Sequence, residues 1–288
     1  MSEKLQRTPT YMTYDEMRVL CIELKSELSE RGISYHSNSA LGQVLRSVEN
    51  LARDWENGER AGYIRDIINA SHARRIADAC IAASTDPGAN ECLRRVIMKN
   101  TNLAERVSSQ GKDALWELEL SQMLKRRAVA VQHVDPPDLI CSLCFGKYPI
   151  ACKKVYSEKG VEAQVRKGAQ QLHEYGLPGL VALNLDDLVP ADSVLQSPTF
   201  LGAMEYLHSF NADFIRRNQL KMQRFLKDGR CDAILISTAT FADIRESERR
   251  FNSISTTTLW TIETVSLQAR ERIRVIGQLF DISKPVSK

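Results

Sequence analysis

Apolar residues recur at helical spacing up to about Gly111 and at strand spacing after it, so the chain must pack in two different ways. Before the change, Thr13 and Glu16 have the spacing of a capping box. They open a helix whose apolar face is Met17, Leu20, Cys21, Leu24 and Leu28, and Gly32 closes it. A second stripe carries Leu41, Val44, Leu45, Val48, Leu51, Ala52 and Trp55, with Gly58 behind it. A third, near 61–83, carries Ile64, Ile67, Ile68, Ile76 and Cys80. The Asp86-Pro87-Gly88 turn leads to a shorter helix with Leu93, Val96 and Ile97. One-sided stripes bury against each other, so residues 1–110 read as an all-helical domain packed as a bundle. Such stripes are ordinary core, and this region alone points to no activity.

After Gly111 a helix near 111–127 precedes β-like runs at 129–134, 138–145 and 148–155. A helix follows from Gly160 to about Tyr175, and Gly176 and Gly179 precede another strand at 180–185. The order is α-β-β-β-α-β. Short connections make the first three strands antiparallel neighbours, with a turn placed at Gly146-Lys147, whereas the intervening helix permits a parallel fourth. A long helix near 200–227, strands at 231–237 and 256–262, and a helix around 264–279 complete an α/β domain with a mixed sheet over 111–288.

A net charge of +3 over 288 residues gives no bulk electrostatic case for nucleic acid, so such a surface must come from local clusters. These occur at Arg74-Arg75, Lys125-Arg126-Arg127, Lys153-Lys154 with Lys159, and Arg216-Arg217 through Lys221, Arg224 and Lys227. Most helix charge runs are solvated faces, and Lys125–Arg127 is the most suggestive because it precedes the first strand. The seven cysteines are odd in number and scattered, which suits reduced thiols. No apolar run approaches membrane-spanning length, and the opening MSEKLQRTPT is polar, so a cytoplasmic protein without membrane contact is expected.

Chemistry concentrates in Pro137-Asp138 through Ala151-Cys152-Lys153-Lys154. Side chains alternate along a strand, so Ala151 and Lys153 share one face, which lies beside Asp138 across the hairpin. Carboxylates that hold hard Mg²⁺ and its waters, with a lysine beside them, are what phosphodiester cleavage needs.

On these residues the chain resembles the PD-(D/E)XK nuclease superfamily, in particular members whose third motif reads close to Glu-Cys-Lys-Arg and is followed by a helix ending in Gln-hydrophobic. Pro137-Asp138, Cys152-Lys153-Lys154 and Gln171-Leu172 carry the likeness, together with the order of elements over about 111–190. The resemblance implies a restriction-endonuclease-like core and hydrolysis of DNA, rather than RNA, with Mg²⁺ or Mn²⁺. Asp138 and a first-helix glutamate would hold metal, Lys153 would serve the transition state, and Gln171 would neighbour the site. Glu117 and Glu119 flank the buried face of that helix on opposite sides, so periodicity does not choose between them. The aromatic-Glu-Leu pattern of related nucleases favours Glu117. The bland alternatives are a solvated helix charge for either glutamate and surface polarity for Gln171.

Ala151 departs from the pattern, standing where the family places the Asp or Glu that completes the metal set. A natural pseudo-nuclease, a carboxylate supplied from elsewhere, and a deliberate Glu-to-Ala replacement all account for it, the last being slightly favoured. With position 151 lacking its carboxylate, the chain as written is expected to be inactive or nearly so. Defence against foreign DNA is a role such nucleases often serve. The N-terminal helices would dock a protein partner, a second copy or the substrate.

Other features carry less. Cys141-x-x-Cys144 is one pair where a closed zinc site needs four ligands, and alternation separates its two thiols. The five histidines show no metal spacing, although His133 and His173 fall near the proposed site. Two rival readings remain: a nucleic-acid-binding module without chemistry, and a helical interaction protein with no nucleic-acid role.

Overall fold

The computed structural model describes residues 13–58, 64–190, 193–247, 251–282 and 286–287. The opening MSEKLQRTPT, residues 61–63 at the expected start of the third helix, and the side chains of Trp55 and Ile64 lie outside the described residues.

The first half is built of α1 (Tyr14–Glu30), α2 (Ala40–Glu56), α3 (Ile64–Ala83), α4 (Asn90–Met98) and α5 (Gln110–Lys125). Thr13 caps α1 as its spacing predicts: its hydroxyl accepts from the Glu16 amide, and the Glu16 side chain accepts from the Thr13 amide. Leu24, Leu28, Leu41, Leu45, Ile76 and Leu93 meet in one core. Among the described residues, every strand lies after residue 129.

The second half runs β1 (Ala130–His133), β2 (Leu139–Leu143), β3 (Gly146–Lys154), α6 (Val161–Tyr175), β4 (Leu180–Asn184), β5 (Leu195–Ser197), α7 (Phe200–Lys227), β6 (Ala233–Ile244), β7 (Phe251–Thr261), α8 (Leu267–Leu279) and β8 (Val286–Ser287). The sheet is mixed. Its order is β1-β2-β3-β4-β6-β7-β8, with β5 paired to β6 off that path. Strands β1 to β3 form an antiparallel meander, β3, β4 and β6 are parallel, and β7 returns antiparallel on β6. The protein is therefore α/β with a mixed sheet preceded by helices.

Some boundaries differ from those expected. The β2–β3 turn is Cys144-Phe145, because Leu143 already pairs with Gly146. Gly146, at φ +115°, opens β3 in a conformation that glycine alone adopts easily. Strand β6 runs 12 residues and β7 runs 11, well past the expected segments. Their far ends are held by each other and by β5, a three-residue strand too short to show in a periodicity.

Helix α5 joins the two halves and serves both cores. Ala114, Leu115 and Leu118 belong to the helical core, whereas Trp116, Leu120 and Leu124 belong to the core against the sheet. The Trp116 indole N–H also donates to the Ala182 carbonyl of β4 at 3.1 Å. Glutamates on this helix are thereby held between the two units.

Candidate active site

Strand β2 begins one residue too late to pair with the end of β3. Continuing the Leu139–Ile150 register puts Asp138 opposite Ala151, where its carboxylate replaces the missing strand: Oδ2 accepts from the Cys152 amide at 2.7 Å. The Lys153 ammonium donates to the same oxygen at 2.7 Å and to the Cys152 carbonyl at 2.8 Å. One cation thus sits between a carboxylate and a carbonyl. Asp138 does this at φ +131°, a region that L residues avoid, at a cost of about 1–3 kcal/mol. Strain of that kind persists where the surroundings over-determine it, and it concentrates at functional sites.

Glu117 lies in the middle of α5 and is only 5 % exposed. It accepts from the Cys92 thiol at 2.8 Å and from the Arg95 guanidinium at 3.2 Å, both on α4. Burial, and after it the charge of Asp138, push its carboxyl up to about 7, against the pull of Arg95, Cys92 and Lys153. Burial also raises Asp138, although Lys153 and the Cys152 amide oppose it. Two carboxylates from different elements therefore lie close enough for Asp138 to disfavour ionisation of Glu117. Glu119, about 200° around the helix, is held elsewhere by a two-pronged Arg75 contact at 2.8 and 3.0 Å.

Ala151 is fully buried. A Cβ placed on Gly168 of α6 would stand 3.4 Å from its Cβ and 2.9 Å from Val181, so the small pair allows the helix to approach the sheet closely. Gly179, after α6, lies against Pro149 and Leu172, so α6 runs back along β3 as the crossover requires. Gln171 therefore sits toward the Pro149 end of β3, away from Lys153. Its Oε1 is buried without a hydrogen-bond partner. The structure brings Asp138, Lys153 and Glu117 together with the Cys152 thiol, turns the Ala151 side chain toward Gly168 of α6, and leaves Gln171 about a turn further along.

Arg95 and Cys92 belong to this cluster and were not foreseen, since their only sequence mark is an ordinary helical stripe. A second buried network was also missed. Lys154 points opposite to Lys153 and reaches Asn184 and, at 2.8 Å, Asp187. Lys112 joins Asp187 at 2.9 Å, and Asp186 accepts from Arg75 at 2.7 Å. The run Asn184-Leu-Asp186-Asp187, polar residues directly behind an apolar strand, was its visible signal.

The remaining candidates have structural surroundings. His133 meets the Ser121 hydroxyl at 3.0 Å, and burial holds its pKa down at about 4; His173 is exposed. Cys141 is buried and Cys144 exposed. Several residues of the basic clusters face carboxylates: Arg74–Asp78, Lys125–Asp86, Arg216–Asp213, Arg217–Glu158 and Arg224–Glu162.

The oxygens suit a hard cation in part. Asp138 Oδ2 and the Cys152 carbonyl already converge on an ammonium, and Glu117 offers a second carboxylate, but position 151 supplies no oxygen. Among the described residues, no group of three or more His, Cys, Asp or Glu side chains is arranged to hold a metal ion. No family model matches the chain, and comparison with curated proteins and with solved structures finds no match. Among the described residues, no helix is long and apolar enough to cross a membrane.

Proposed function

We propose that residues 111–288 form a PD-(D/E)XK-type domain directed at DNA phosphodiester bonds, left at most weakly active by Ala151. The observation that carries this is the strained Asp138, whose carboxylate holds the Lys153 ammonium at 2.7 Å beside the buried Glu117. Asp138, the Cys152 carbonyl and Glu117 would hold Mg²⁺ or Mn²⁺. A bound ion supplies an acidified water and neutralises phosphate charge. Lys153, released from Asp138, is placed to meet charge developing on phosphate. Glu117, with a pKa of about 7, can hold or give up a proton near neutral pH.

A second reading has its own support. Ala151 is packed as core beneath Gly168 and brings no side-chain oxygen to the site, which favours binding without cleavage. The exposed Val19 and Ile22 of α1 support a docking role for the helices, toward a partner or a second copy. Binding of the purified chain to linear, circular and single-stranded DNA and to RNA, at several salt concentrations, tests the common part of both readings. Salt-dependent DNA binding that Lys153→Ala weakens is expected. Binding to none of them would remove the nucleic-acid assignment.

A further inference from the structure

Helices α6 and α7 lie side by side on one face of the sheet. Val181, which packs against Gly168 of α6, pairs with Ile234, and on the same side of β6 Thr238 donates to Asn211 of α7 at 2.6 Å. Their seam is closed by Arg217–Glu158 at 2.6 Å and Arg224–Glu162 at 2.7 Å. Glu158 stands in the turn after β3, so this two-helix layer begins at the end of the strand that carries Lys153.

Positive charge collects on the outer side of the layer. Residues 158–174 and 213–230 hold nine Lys and Arg against five Asp and Glu, whereas the whole chain has an excess of only three. The molecule's positive excess is therefore all on these two stretches, and the remainder is close to neutral. The acids are already engaged. Glu158, Glu162, Asp213 and Asp228 take Arg217, Arg224, Arg216 and Arg230, and Glu174 accepts from Gln170. Five cations are left over: Lys159, Arg166, Lys167, Lys221 and Lys227 are exposed and make no ion pair among the described residues. Lys221 has only a long bond to Asn218, at 3.4 Å.

Like charges gathered without counter-charges repel one another, and a face of this kind draws a polyanion. The other side chains narrow the choice. A helix that lies on a membrane buries apolar side chains, yet of the described large apolar residues that are exposed only Leu220 falls within these stretches. Single strands are held by stacking on aromatic rings, and the exposed Phe145 and Tyr206 both lie elsewhere. Contact with the backbone of a duplex needs only spaced cations and amides on a rigid element. From Arg217 to Lys227 α7 advances roughly 15 Å, which covers about four phosphates of one strand.

We infer that the outer face of α6 and α7 binds the phosphate backbone of double-stranded nucleic acid without regard to sequence. It is a second contact surface: Ala151 turns toward α6, whereas the neighbouring Cys152 thiol is the one near Glu117. The inference rests on the nucleic-acid part of the proposed function and not on cleavage.

Fluorescence anisotropy of the full chain with a labelled DNA duplex, over a range of chloride concentrations, tests it. Arg166→Gln with Lys167→Gln, and Lys221→Gln with Lys227→Gln, each remove two exposed charges from the face. Lys147→Gln with Arg274→Gln removes two exposed charges from elsewhere, and thermal unfolding checks that each variant folds. Each pair on the face should weaken duplex binding about tenfold. Each should also flatten the slope of log affinity against log salt by up to about 2, with the control close to the unmodified chain. A single strand of the same length should bind more weakly, and anionic phospholipid vesicles not at all. If Lys153→Ala weakens binding and neither face variant does, the face is wrong and the proposed function survives. If the face variants weaken it and Lys153→Ala does not, the face stands without the proposed centre. No duplex binding, equal losses in the control, or a preference for single strands or vesicles would overturn the inference.

Discussion

The two lysines that end β3 lie next to each other in sequence and enter opposite kinds of environment. Lys154 joins a network in which Asp187 takes Lys112 and Lys154 at 2.9 and 2.8 Å. Burial opposes ionisation of the adjacent Asp186, yet Arg75, Lys154 and the Ala239 amide together hold its carboxyl down at about 2. Lys153 instead meets Asp138, which sits at φ +131° with its own carboxyl pushed up, near a Glu117 raised to about 7. In the first region opposite charges satisfy each other and tie α5 to the loop after β4. In the second, like charges and a strained backbone are held together against their preference. Conflicts of this kind recur at functional and strained sites.

The largest expected difference comes from one substitution made in both places. Asp187→Asn leaves Lys112 and Lys154 buried against a neutral amide and should cost about 3–5 kcal/mol, read by denaturant unfolding. Asp138→Asn keeps an oxygen for the Cys152 amide, removes a disfavoured charge and frees Lys153, so its cost should stay at about 1 kcal/mol while metal-free DNA affinity rises. Equal costs would erase the contrast between the regions.

A pH series sharpens it further. The Glu117 carboxyl, ordinarily near 4.5, is raised to about 7 in the folded chain, so the folded state binds the extra proton. Its contribution to stability is lost as pH rises from about 4.5 through about 7, by at most about 1.4 kcal/mol per pH unit. His133 and His72, held down at about 4 and about 3, act in the opposite direction below their ordinary 6.5. The effect is therefore read as the difference between the chain and Glu117→Gln, which should grow in favour of the variant with rising pH. A difference independent of pH would show that Glu117 is not raised.

A smaller effect tests how Ala151 is packed. Gly168→Ala puts a methyl 2.9 Å from Val181 and 3.4 Å from Ala151, and overpacking should outweigh the helix preference for alanine by about 1 kcal/mol. A stabilised variant would mean that α6 stands further from β3 than described.

Local and nearest-neighbour features were legible in the sequence: the Thr13 capping box, the antiparallel β2–β3 pair, and the parallel β4 after a helix. The turn slipped by two residues because Gly146-Lys147 has the composition of a turn, while cross-strand pairing places the bend at Cys144-Phe145. Periodicity could not separate Glu117 from Glu119. A partner on α3, Arg75, takes Glu119 and leaves Glu117 with Arg95. Alternation set Ala151 on the face of Lys153, but only the packing of α6 shows how little room surrounds it. Long-range pairs such as Lys112 with Asp187 leave no periodic trace at all.

On the proposed function, the Asp138–Lys153 site is a metal-dependent nuclease centre short of one carboxylate at position 151. Ala151→Glu, unfolded thermally in EDTA and in Mg²⁺ or Mn²⁺ and assayed for DNA cleavage, tests it most directly. A glutamate buried beside Gly168 should lower Tm in EDTA, and the ion should restore it where the unmodified chain shows little response. DNA cleavage should appear with the metal and disappear again with Lys153→Ala. An Ala151→Glu protein that folds and binds DNA, yet whose Tm ignores the metal and which cuts nothing, would contradict the nuclease reading.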